Sequence, residues 1–395
     1  MRKPIRQNYN ATIYACYLGY ITQAIVNNFA PLLFLIFVRD FDLSLAQITF
    51  ITSVNFAVQL LVDLLSVRVV DKLGYRPCII AAHVFAAAGI LGLAVLPFVL
   101  PAYAGLMVCV VLYAIGGGIT EVLISPIVEA CPTERKEATM SLLHSFYCWG
   151  HVVLVLLTTA FLAVFGEHSW RVLACLWALI PLGNIVLFRL VPIADINAGH
   201  EKLSLGRLLR QPIFWLLIVL MVCAGASEQA ISQWASAFAE SGLKISKSLG
   251  DLAGPCLFAT LMGTARALYG KYADRLPLKG FMAGSSVLCI ICYLLASLSG
   301  NALLAMVGCA LCGFSVGIFW PGTFSLAALA LPGGGTAMYA LMALAGDLGC
   351  SAGPTVVGLV ANASQGSLQS GLLVAIVFPV LMLAGILGLR SKKSN

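Results

Sequence analysis

The chain has 395 residues, of which 61% are hydrophobic and only 10% charged. A soluble domain carries about 25% charged residues, so a water-facing surface is excluded over most of the length and the solvent must be lipid. The net charge of +7 would suit nucleic acid in a soluble protein, but the placement of the basic residues excludes that partner.

A helix that crosses a bilayer needs about 20 apolar residues. Such stretches are predicted at 9–38, 43–71, 76–97, 102–129, 137–164, 169–190, 211–240, 247–274, 279–298, 302–330, 334–362 and 367–390. Arg2, Lys3 and Arg6 precede the first. It has no small-residue cleavage pattern, so it reads as a retained helix rather than a signal peptide. The polar segment 191–210 carries Asp195, Glu201, Lys202, Arg207 and Arg210. It divides the chain into an N-terminal six-helix bundle, 1–190, a cytoplasmic linker, 191–210, and a C-terminal six-helix bundle, 211–395. The predicted fold class is therefore all-α, a membrane protein of twelve transmembrane helices.

Orientation follows from the Lys and Arg in the loops. With the N-terminus cytoplasmic, the far side holds only Arg39, Arg171, Lys244 and Lys247 of the 23 basic residues. Both termini are then cytoplasmic, and the positive charge is topological.

The halves echo one another. Asp71-Lys72-Leu73-Gly74-Tyr75-Arg76 follows the second helix, and Gly270-Lys271-Tyr272-Ala273-Asp274-Arg275 follows the eighth. Ser125-Pro126 in the fourth matches Trp320-Pro321 in the tenth, and Ala138-Thr139-Met140 matches Thr336-Ala337-Met338. Repeats of six helices are the pattern of a transporter built from two rocking halves.

Charged side chains within a span cost roughly 2.5–3.5 kcal/mol on insertion scales and mark function by default. Glu121 and His144 lie at similar depth, roughly 11–12 Å in at 1.5 Å per residue. Together they form a candidate proton site, since each shifts the other's titration. Asn27, Asn28, His151, Glu228, Gln229, Gln233, Trp234 and Asp347 fall near the midplane on several helices and are expected to line a substrate cavity. Asp63, Glu129 and Arg266 near the cytoplasmic helix ends are read as gating charges, with Asp71, Lys72, Arg76, Asp274 and Arg275 as the loop latch. His83 is read as structural.

No metal or cofactor is expected. Cys289 and Cys292 have CxxC spacing, read as lacking a second pair, whereas zinc needs four convergent ligands. The glycine runs 116–118 and 333–335 lack the context of a phosphate loop, so energy must come from a gradient.

The pattern Gly270, Asp274, Arg275 resembles the cytoplasmic loop motif of the major facilitator superfamily. In the first half Val67 replaces its glycine, while Asp71, Lys72 and Gly74 fit. Within that superfamily the chain resembles the fucose permease family, the fucose–galactose–glucose:proton symporters. The resemblance rests on Gly116-Gly117-Gly118-Ile119-Thr120-Glu121 with Ser125-Pro126, and on His144-Ser145-Phe146 with Gly150. It also rests on Gly225-Ala226-Ser227-Glu228, on Trp320-Pro321-Gly322-Thr323-Phe324-Ser325-Leu326-Ala327, and on Gly346-Asp347 with Gly353-Pro354. It implies a sugar-class substrate and a proton-titrating Glu121. Two departures stand out: the family's acidic residue of the first helix is here an amide, read as Asn28, and Ser125 replaces an asparagine.

The expected function is alternating-access transport of a small polar solute, a sugar, across the inner membrane by a monomer. The coupling ion is a proton, with sodium as the alternative. Proton-antiport efflux of drugs or metabolites is the rival. An enzyme is not expected: a metalloprotease would need a His-Glu-x-x-His cluster, and the sequence has none.

Overall fold

The computed structural model describes residues 4–195, 203–232, 256–365 and 367–389. Among these there is no strand. The first half runs α1 (Tyr9–Leu32), α2 (Phe34–Phe41), α3 (Leu45–Leu73), α4 (Tyr75–Leu93), α5 (Leu96–Val99), α6 (Ala102–Ala130), α7 (Lys136–Phe165) and α8 (Trp170–Leu190). A short α9 (Leu205–Leu209) lies in the linker. The second half runs α10 (Pro212–Ser232), α11 (Leu257–Tyr272), α12 (Leu278–Leu298), α13 (Ala302–Val316), α14 (Phe319–Ala330), α15 (Gly335–Ala363), α16 (Leu368–Ala375) and α17 (Val377–Gly388).

Each of the twelve predicted spans holds at least one of these helices. In two of the spans that hold two helices, 9–38 and 302–330, a local break explains the division. Pro31 lies inside the last turn of α1, and α2 resumes after Leu33. A proline has no N–H and crowds the preceding turn, so the helix bends or stops there. Gly317 and Ile318 separate α13 from α14 just before Pro321.

Among the described residues nine helices are long and apolar enough to cross a membrane by themselves. α1, α3 and α11 are not among the nine. α11 is described over only 16 residues. α3 contributes a shorter apolar stretch, Phe50–Ser66. α1 is long enough but carries Gln23, Asn27 and Asn28, polar residues that must be satisfied inside the protein, because lipid offers no hydrogen bonds.

The chain forms two compact units. The first comprises Met1–Thr133, Phe146–Lys202 and Gly335–Leu341; the second comprises Glu134–Ser145, Leu203–Gly334 and Met342–Asn395. The first turns of α7 thus count with the second unit, and those of α15 with the first.

The packing repeats. In the first unit α6 packs on α4, α3 and α1. In the second, α13 packs on α12, α11 and α10. These are the same three steps back along the chain in each half, so the sequence echo is also an echo of packing.

Small residues make this packing possible where lipid supplies no hydrophobic drive between helices. The run Gly116-Gly117-Gly118 in α6 shows how. A Cβ on Gly116 would lie 2.5 Å from the Ala82 carbonyl of α4; on Gly117, 2.9 Å from Val26 of α1; on Gly118, 3.0 Å from Val62 of α3. Three consecutive residues, 100° apart, therefore admit three different neighbours.

His83 is structural, as expected. Its Nδ1–H donates to the Ile79 carbonyl at 2.8 Å, which leaves Nε2 to accept from Asn184 Nδ2 at 2.9 Å. The same Asn184 amide donates to Ala15 O at 3.0 Å, so one fully buried imidazole fixes α1, α4 and α8 in register.

Candidate functional site

In the first unit the glycine run lets the side chains of α1 and α3 converge on Glu121 of α6. Gln23 Nε2 donates to Glu121 Oε2 at 3.1 Å and to Gln59 Oε1 at 3.2 Å. Gln59 Nε2 in turn donates to Asn27 Oδ1 at 2.9 Å. Gln23 and Gln59 are buried, while Glu121 and Asn27 are half-buried. One turn further on, the Tyr20 hydroxyl and Ser125 Oγ share a hydrogen bond of 3.1 Å. A charge-assisted bond to a carboxylate is about twice as strong as a neutral one, so Glu121 is held by a directed donor and braced through a chain of amides.

Sequence reasoning named Asn27 but missed Gln23, Gln59 and Tyr20. The signal was present: Gln23 lies four residues before Asn27, on the same helix face. Along α3, Asn55, Gln59 and Asp63 recur every four residues, and all three are buried. Asn28 spends its amide locally, donating to Ala24 O at 2.9 Å. His151 is half-buried on α7, next to Gly150, whose backbone lies on Ile21 and Ala24 of α1.

In the second unit the centre is Arg266 of α11, only 3% exposed. Pro321 explains its anchorage. A helical carbonyl normally accepts from the N–H four residues later, and Pro321 has none, so the Gly317 carbonyl is left without its donor. Arg266 Nε supplies one at 2.8 Å. Arg266 Nη1 donates to the His144 carbonyl at 3.1 Å, and Ser141 Oγ donates to the Arg266 carbonyl at 2.7 Å. Arg266 Nη2 faces Glu228 Oε2 of α10 at 3.5 Å, an ion pair beyond hydrogen-bond length. Among the described residues the buried Glu228 Oε2 atom has no hydrogen-bond partner. The His144 ring lies against Phe324, centroids 5.8 Å apart, and Phe324 lies 6.3 Å from Trp320.

α10 and α15 meet through glycines. A Cβ on Gly225 would lie 2.1 Å from Gly346 O, and one on Gly349 would lie 2.1 Å from Val222 O. Trp320 covers Gly346, beside the half-buried Asp347. Gln229 is half-buried on α10. Gln233 and Trp234 lie outside the described residues.

The loop acids and bases take specific partners. Asp274 pairs with Arg135 Nε at 2.9 Å, and Arg135 Nη2 also reaches Lys271 O at 3.1 Å. Gly270 lets α7 approach, since a Cβ there would lie 3.2 Å from Ala138 O. Arg135 was read from sequence as a topological charge only. In the first unit Asp71 accepts from Thr336 Oγ1 at 3.3 Å, and Tyr75 shares a short hydrogen bond with Thr336. Arg76 donates to the carbonyls of Phe188 at 2.6 Å and Val191 at 2.9 Å, a cation on the C-terminus of α8. Asp63 is fully buried, Glu129 half-buried, and Lys72 and Arg275 exposed.

The reading of the cysteines needs correction. Cys309 and Cys312 form a second CxxC, and the α12–α13 hairpin brings it against Cys289 and Cys292: Cys289 Sγ lies 3.8 Å from Cys312 Sγ. Among the described residues no group of three His, Cys, Asp or Glu is arranged to hold a metal.

Two glycine-packed units with matching order, each with charges buried in membrane-length helices, describe a transporter. The sequence matches the Major Facilitator Superfamily over residues 16–354. The chain belongs to this family. It is thus a multi-pass membrane transporter and not an enzyme. A comparison with curated protein sequences returns no match. Among solved structures the chain is similar to the E. coli fucose:proton symporter FucP, with a TM-score of 0.83 at 15% identity over 97% of this chain and 100% of that one. The human organic anion transporter TETRAN gives 0.73 at 14% identity over 95% and 99%. The proton:xylose symporter XylE gives 0.73 at 16% identity over 96% and 94%. At such identities the similarity establishes the major facilitator fold of twelve helices.

Proposed function

We propose that this transporter carries a small polar solute of the sugar class across the inner membrane by alternating access, driven by protons through Glu121. The observation that carries the reading is the bond from Gln23 to Glu121, 3.1 Å, backed by Gln59 and Asn27. A carboxylate half-buried in a membrane helix is costly unless it serves a purpose. The amides around it offer donors and acceptors of the kind that hydroxyl groups need. Two structures with this fold are a fucose:proton and a proton:xylose symporter, which favours the same chemistry here.

In the first unit Asn27, Asn28 and His151 are the proposed solute contacts. In the second, Glu228, Gln229, Gln233, Trp234 and Asp347 are, with His144 as a second proton-coupling candidate. Residues 1–190 and 211–395 are taken as the two moving halves, joined by the linker 191–210, with both termini cytoplasmic. Asp63, Asp71, Lys72, Arg76, Glu129, Arg266, Asp274 and Arg275 are the proposed gating charges.

The test is uptake of a panel of labelled sugars into proteoliposomes, with and without an inward proton gradient, for wild type and Glu121→Gln. Gradient-dependent accumulation of one sugar, lost in the variant while the protein stays folded, is the expected result. Sodium-dependent or gradient-independent uptake would remove the proton role. No uptake of any sugar would remove the substrate class.

A further inference from the structure

Four cysteines meet at the packing of α12 and α13. Cys289 and Cys292 come from one helix, Cys309 and Cys312 from the other, and all four are buried. The hairpin runs antiparallel, so a step of three residues forward from Cys289 to Cys292 matches a step of three back from Cys312 to Cys309. The second pair therefore sits one helical turn from the first, in the same register. The backbones are close too: a Cβ on Gly308 would lie 2.9 Å from the Cys292 carbonyl.

We propose that Cys289 and Cys312 form a modification site, a dithiol that a small neutral hydroperoxide oxidises to a disulfide bridging α12 and α13. Their sulfurs are 3.8 Å apart. A disulfide needs about 2.05 Å, so the gap closes by roughly 1.8 Å of side-chain movement on helices already in close contact. Bringing a thiol pair this near in an interior means that little chain entropy opposes the bond.

The chemistry balances with one peroxide. The Cys289 sulfur attacks a peroxide oxygen as the O–O bond breaks. The departing hydroxide takes the thiol proton and leaves as water, and Cys289 becomes a sulfenic acid. The Cys312 sulfur then attacks the Cys289 sulfur. The sulfenic hydroxyl leaves with the Cys312 proton as a second water. Two thiols are oxidised and one hydrogen peroxide is reduced.

Burial selects the oxidant. Charged or bulky disulfides are excluded from a site sealed on all sides within apolar helices, whereas hydrogen peroxide is small and uncharged. The bridge has a route to the proposed solute helix: Tyr293, next to Cys292 on α12, donates its hydroxyl proton to the Ser227 carbonyl at 2.8 Å, one residue from Glu228 on α10.

Reduced wild-type protein in lipid nanodiscs would be exposed to hydrogen peroxide or to glutathione disulfide, alkylated after denaturation, digested without reductant and mapped by mass spectrometry. Cys175 of α8, exposed at the protein surface, reports that peroxide is active, and a thiol peptide added to the sample reports that glutathione disulfide is. The expected result is a Cys289–Cys312 cross-linked peptide with peroxide and none with glutathione disulfide. Recovery of both cysteines as alkylated thiols, at a peroxide dose that oxidises Cys175, would overturn the proposal. So would a bridge from Cys289 to any other cysteine, or equal cross-linking by both oxidants. In Cys312→Ser, dimedone added on denaturation should label Cys289 as a sulfenic acid. None of these readouts depends on the solute, so the proposal stands or falls separately from the sugar reading.

Discussion

Glu228 faces Arg266 at 3.5 Å inside the second unit, and the guanidinium is better bonded to backbone carbonyls than to the carboxylate it neutralises. The pair is held close but not locked. Removing one member of a buried ion pair leaves an uncompensated charge, which costs about 3–5 kcal/mol, whereas replacing both by apolar residues is often neutral. Arg266→Ala should therefore destabilise the protein strongly in a denaturation series. The double variant Arg266→Met with Glu228→Leu should recover most of that loss. Additive losses would contradict the pairing.

Arg135 and Asp274 are different in kind. Their side chains are 45% and 66% exposed, so the pair is screened by solvent and contributes roughly 0–1 kcal/mol. Arg135→Ala should leave the melting temperature almost unchanged and alter the transport rate, most at low salt. A charge swap, Arg135→Asp with Asp274→Arg, should restore the rate if the contact gates transport.

Beside its proposed gating role, Arg76 is expected to contribute to stability. It fans onto the carbonyls at the end of α8, where a cation is worth up to about 2 kcal/mol in partly buried geometry. Arg76→Ala should lower the melting temperature. Arg76→Lys, which loses the fork, should restore only part of it.

The glycines of α10 and α15 can be tested against an open one. Gly225→Ala and Gly349→Ala each place a methyl 2.1 Å from a backbone carbonyl, and overpacking costs typically 1–3 kcal/mol. Gly284 of α12 has no atom within 4 Å of its virtual Cβ, so Gly284→Ala should be neutral or stabilise by up to about 1 kcal/mol. Equal effects at all three sites, in thermal melts, would refute the close approach.

The spans and the echo between halves were legible because lipid imposes length and apolarity on every crossing segment. Contacts of Glu121 were only half legible. Asn27 showed itself as an amide at the right depth, but Gln23 and Gln59 become neighbours of the carboxylate only once Gly117 and Gly118 let α1 and α3 in. Arg135 was invisible as a partner of Asp274, since nothing local links residues so far apart in the chain. The pair Cys309 and Cys312 was written plainly in the sequence. Its meaning depends on the antiparallel register of α12 and α13, which spacing within either helix does not state.

The acceptor that holds Arg266 consists of a missing hydrogen. Pro321 creates it from a distance of one helical turn, and no side chain at Gly317 takes part. An arginine anchored in this way is insensitive to drift in the surrounding side chains and sensitive to a single imino acid. Pro321→Ala would heal the α13–α14 ladder, give the carbonyl a second suitor, and set the guanidinium competing for a place that the wild-type backbone keeps vacant for it.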